Sequence, residues 1–130
     1  MASHPSAPIA SHPAAPRNAT FTIGWIMLLV IATLATLNHL LLIFTQQDER
    51  LLFLGWAAFN IYATLVLAIS FRRRERWAWY TTWVMVIGFA LPLLLGLASE
   101  IAVLYAIVAG VMALGLLLTM PTFFQKQQAA

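Results

Sequence analysis

Four apolar runs, separated by polar breaks of a few residues, limit this chain's possible folds more than any other feature. They fall at 21–44, 51–71, 77–98 and 101–120, each close to the ~20 residues a helix needs to cross a hydrocarbon core. The runs are continuous and do not alternate over segments of about ten residues, so a transmembrane β-barrel is excluded. The breaks are too short to hold a folded soluble domain. The expected fold class is therefore all-α: a polytopic membrane protein built as one antiparallel four-transmembrane-helix bundle over 21–121, with tails at 1–20 and 122–130. Composition agrees, with 62% hydrophobic and 8% charged residues against roughly a quarter charged in globular domains. There is no cysteine, which excludes disulfides, thiolate metal sites and cysteine nucleophiles.

The first tail repeats itself: Ala-Ser-His-Pro-Ser-Ala-Pro from Ala2 returns as Ala-Ser-His-Pro-Ala-Ala-Pro from Ala10. Pro5, Pro8, Pro13 and Pro16 deny it helix hydrogen bonds, and it has too little apolar surface to fold, so it is expected to be disordered. His4 and His12 read as part of this polar tract and not as a metal pair. The first apolar run is too long for a signal-peptide core and follows a neutral tail, so it is expected to stay in the mature chain.

Lysine and arginine set the orientation. With four spans, one side holds Arg17, Arg72, Arg73, Arg74, Arg76 and Lys126, and the other holds only Arg50. The positive-inside rule then puts both termini and the central loop in the cytoplasm of a multi-pass protein. The net charge of +3 is explained by topology and lipid headgroups, and no nucleic-acid partner is implied.

Polar residues inside the runs are candidate ligand-binding groups, because such residues are expensive in lipid and mark functional sites. Asn38 and His39 lie about 8–9 Å below the outer end of the first span, and Asn60 about 13–14 Å below that of the second, at 1.5 Å per residue. Antiparallel folding brings both, with Tyr62 and Glu100, toward the outer half of the bundle. Ala32, Ala35, Thr36 and His39 share one stripe of the first span; Ala57, Asn60, Thr64 and Ala68 share one of the second. Such stripes are what membrane helices present to each other. Glu100, in the tight turn before the fourth span, is expected to be exposed at that helix's positive end. Gly88, Pro92 and Gly96 give the third span a kink and flexibility, and Ala102, Ala106, Ala109, Gly110 and Ala113 give the fourth a small-residue face. His39 has no second intramembrane histidine with which to hold a haem in one chain, and no cofactor or metal is expected.

Between the second and third spans runs Phe71-Arg72-Arg73-Arg74-Glu75-Arg76-Trp77-Ala78-Trp79. Its arginines, with Trp77 and Trp79, are candidate contacts for lipid headgroups or an acidic partner, and Glu75 is expected to pair locally. The loop and the four-span layout resemble uncharacterised small bacterial integral membrane proteins with a basic Glu-Arg-Trp-Ala-Trp loop joining the middle helices; many of these carry glycine where this chain has Arg74. The resemblance implies a bacterial inner (plasma) membrane protein and brings no activity with it.

No hydrolase elbow, zinc-protease helix, phosphate loop or dinucleotide fingerprint is present, which argues against an enzyme. The reading that follows is a non-catalytic structural or accessory subunit, forming a homo-oligomer or joining a larger membrane complex through the small-residue face of the fourth span. The alternative is a small-molecule binder or transporter with its site among Asn38, His39, Asn60, Tyr62 and Glu100.

Overall fold

The apolar runs form four helices in a computed structural model that describes residues 19–96 and 99–124. Helix α1 spans Ala19–Thr45 and α2 spans Arg50–Val66, joined by a short 3-10 turn. Helix α2 continues through a π turn at Leu67–Phe71; α3 spans Arg76–Leu94 and α4 spans Glu100–Phe124. All four segments are long and apolar enough to cross a membrane, and no strand occurs among the described residues. The chain is an all-helical four-helix bundle of membrane-spanning dimensions. Most of both tails, with His4, His12, Arg17 and Lys126, lies outside the described residues.

Two helix ends differ from the sequence expectation. Helix α3 stops at Leu94, short of 98, because Gly96 takes φ +76° and its N–H turns back to Leu93 O at 3.0 Å; a left-handed glycine is the usual helix stop. Helix α4 runs past Pro121 to Phe124. The missing N–H there removes only the bond to Leu117 O, while Phe123 packs in the core.

Lipid tails are as apolar as leucine, so helices in a membrane are held by close packing and by hydrogen bonds. Leu34, Leu41, Leu65, Ile107 and Leu117 accordingly face outward, where lipid would cover them. The closest approach is between α1 and α4. A Cβ added at Gly24 would lie 2.6 Å from Gly115 O and 2.8 Å from Thr119 Cγ2, and one at Gly115 would lie 3.1 Å from Leu28 Cγ. Helix α1 also packs along α2, and α3 along α4, but α2 and α3 touch sparsely. Three seams are closed and one is nearly open.

The basic loop folds back on the bundle. Phe21, Phe71 and Phe123 cluster with ring centres 4.8–6.1 Å apart, bringing the start of α1, the end of α2 and the end of α4 to one end. Arg72 lies over Trp25, Arg74 over Phe21 and Arg76 over Phe124, at 5.7, 5.0 and 5.9 Å. Indole N–H groups tie helices at this end: Trp25 donates to Leu67 O at 2.8 Å, and Trp79 to Leu116 O at 3.1 Å. Leu67 opens the π turn, where i→i+5 winding replaces the i→i−4 pattern. Arg74 has φ 61°, the left-handed region that favours glycine.

Gly24→Ala is expected to lower stability by about 1–3 kcal/mol, since its methyl meets backbone. Gly110→Ala, with open space around it, is expected to be neutral or to gain up to about 1 kcal/mol. Reversible unfolding in bicelles reads both, and equal effects would refute the α1–α4 crossing. In the loop, Arg74→Gly trades backbone relief of about 1–2 kcal/mol against a cation–π contact of about 0.5–1 kcal/mol and should stay within about 1 kcal/mol of the parent. Arg74→Val keeps the unfavourable backbone, loses the contact, and should cost about 1–3 kcal/mol.

Candidate functional site

Polar side chains close the α1–α2 seam. Thr36 Oγ1 and Thr64 Oγ1 lie 3.4 Å apart, and one turn further from the basic loop Asn60 Nδ2 lies 3.0 Å from His39 Nδ1. Both helices use the small-residue stripes expected from sequence: Ala32 and Ala57 are buried here, Ala35 and Ala68 half-buried. Asn60 is 0% and His39 4% exposed, so both have been taken out of lipid and into the protein. The threonine hydroxyls are committed locally, Thr36 to Ala32 O and Thr64 to Asn60 O, both at 2.8 Å.

The hydrogen bonding of His39 fixes its tautomer. Nδ1 lies 2.8 Å from Ala35 O; a carbonyl only accepts, so Nδ1 carries the proton. Asn60 cannot then present its NH2 to the same atom. Exchanging the amide O and N, which are indistinguishable by shape, lets Nδ1–H be shared between Ala35 O and Asn60 Oδ1. As placed, Asn60 Oδ1 is buried and has no hydrogen-bond partner, a cost of about 1–3 kcal/mol. With Nδ1 protonated, Nε2 keeps its lone pair and makes no hydrogen bond among the described residues.

His39 lines a cavity of about 180 Å³ to which all four helices contribute: Phe53 and Trp56 from α2, Phe89 and Pro92 from α3, and Tyr105 from α4. The imidazole stacks on Trp56 at 6.0 Å and 23°, and lies 6.2 Å from Phe53. Phe89 and Tyr105 meet edge to face at 5.6 Å. The outcome is one imidazole nitrogen in an aromatic-walled chamber, an arrangement suited to accepting a hydrogen bond from a small guest. No group of three or more His, Cys, Asp or Glu residues that could hold a metal occurs among the described residues.

The structure brings together only part of the expected set. His39 and Asn60 meet, Asn60 standing behind the imidazole as a positioning residue. Asn38 is exposed on the outer face of α1, with Leu34 and Leu41, because successive helix residues point about 100° apart. Tyr62 is 54% exposed and borders a groove between α2 and α3. Glu100 is exposed in the first turn of α4, where the side-chain cap is Ser99, whose Oγ accepts from Ala102 N–H at 3.2 Å. Among the loop candidates, Arg73 and Trp77 are exposed; Arg72, Arg74 and Arg76 lie over aromatic rings, and Arg76 Nε donates to Phe123 O at 3.2 Å. Trp79 is buried in the bundle. Glu75 takes the Trp77 indole N–H at 2.6 Å in place of an arginine.

The aromatic walls were overlooked in the sequence, although a signal exists. Phe53, Trp56 and Asn60 recur at three- and four-residue spacing and so share one face of α2; Phe89 and Pro92 do the same on α3. Comparison with family models, with characterised proteins and with solved structures returns no match for this chain.

The tautomer is directly measurable. Nitrogen-15 NMR of selectively labelled His39 in nanodiscs is expected to show Nδ1 protonated and Nε2 bare. The opposite tautomer would contradict the Ala35–His39–Asn60 arrangement.

Proposed function

We propose that this integral membrane protein is a non-catalytic binder of a small lipid-soluble molecule, held in the aromatic chamber against His39. The observation that carries this reading is the buried His39–Asn60 pair, whose bonding leaves one imidazole nitrogen uncommitted beside a cavity shared by all four helices. A polar group brought into the interior of a membrane bundle is costly unless it has work to do or a partner to meet, and here half the bonding capacity is unused.

The accessory-subunit reading has less to stand on. The small-residue face of α4 is used within the chain, with Ala102 1% and Ala109 4% exposed. Gly110 alone of that stripe remains outward, too little to define an assembly surface. We further propose a bacterial inner-membrane location with both termini in the cytoplasm, supported by the resemblance of the loop and by the six-to-one partition of basic residues.

Native mass spectrometry of the full chain released from nanodiscs tests both readings at once. The expected result is a monomer carrying a small-molecule adduct that His39→Leu loses. A dimer or larger complex without an adduct, unchanged in the variant, would favour assembly and remove the binder reading.

A further inference from the structure

The chamber at His39 does not stand alone. It shares Leu52, Trp56 and Gly88 with a groove of about 470 Å³ between α2 and α3. That groove in turn shares Phe59 and Val84 with a second apolar hollow of about 160 Å³ nearer the basic end. Together they follow the unsealed α2–α3 seam from Leu51 to Val66, about 22 Å of helix at 1.5 Å per residue. Val84 and Tyr62 on its margins are exposed, so the seam opens sideways, toward the acyl chains.

Resting on the binder reading above, we infer that the ligand is a single-ring phenol or hydroquinone carrying a long apolar tail, which enters laterally from the lipid. The ring fits the chamber, since about 150 Å³ of apolar cavity accommodates benzene and this one holds about 180 Å³. Phe53, Phe89 and Tyr105 offer ring faces and edges to it. The hydroxyl donates to His39 Nε2, which the Ala35 and Asn60 contacts keep as an acceptor. The tail lies in the groove because almost nothing there can hydrogen-bond: Thr81 and Thr82 commit their hydroxyls to Trp77 O and Ala78 O at 2.8 and 2.7 Å, leaving Tyr62 as the remaining polar side chain of the hollow. Polar chemistry at one end of a long apolar track selects a molecule built the same way.

Three probes test this on the full chain in nanodiscs: phenol, a long-chain 4-alkylphenol with a photoactivatable diazirine at the tail end, and the matching alkylbenzene. The alkylphenol is expected to label residues 59–66 and 81–85 and to bind about tenfold tighter than the alkylbenzene, the worth of one good hydrogen bond. Val84→Trp, at an exposed position that tolerates bulk, should weaken the alkylphenol about tenfold, equal to roughly two buried methylenes, and leave phenol unchanged. If phenol binds the parent but labelling spreads over the outer faces of α1 and α4, lateral entry is wrong and the chamber stands. Equal binding of alkylphenol and alkylbenzene overturns the headgroup assignment. If phenol itself fails to bind, the binder reading falls with the rest. The labelling pattern on the parent needs no variant, so poor folding of Val84→Trp would not rescue the idea.

Discussion

The contact between Gly24 and Gly115 governs how the rest of the bundle is arranged. Two helices whose backbones approach this closely are locked in register, because any side chain larger than hydrogen would separate them. With α4 held on one flank of α1, α2 must take another, and α3, paired with α4, is left facing α2 across a gap. The gap is therefore a consequence of where the small residues are. Aromatic side chains line it instead: a Cβ added at Gly88 would lie 3.8 Å from Trp56 Cζ3, so the indole ring extends across the gap toward α3.

The two seams of α1 use different chemistry for a reason. Toward α4 it offers glycine, and dispersion at short range supplies the attraction. Toward α2 it offers His39, whose contact with Asn60 is directional and fixes rotation as well as distance. A helix with polar groups on one flank and glycine on another can be seated in only one way, which specifies the bundle where the hydrophobic effect cannot.

Much of this was legible in the chain. Continuous apolar runs gave the number of helices, and small-residue stripes identified the α1–α2 seam, because both signals follow from bilayer thickness and helical period. That His39 and Asn60 lie in the same half of neighbouring helices was also legible, although their expected depths differed by about 5 Å. What could not be read was rotation: Asn38 and His39 are adjacent in sequence and at equal depth, yet one faces outward and the other inward. Nor did Gly24 stand out from the other five glycines, since only the partner's backbone makes it indispensable. The aromatic chamber depends on four helices at once, and no single stretch announces it.

The indole bonds of Trp25 and Trp79 have a mechanical meaning. Each joins a side chain on one helix to a backbone carbonyl on another, near the end where three phenylalanines interlock and arginines lie over rings. The opposite end has no such ties among the described residues. The bundle is thus pinned by interhelical side-chain-to-backbone bonds at one end and not at the other, like a tuning fork held at its base. The His39 chamber lies toward the end of the bundle that lacks these ties.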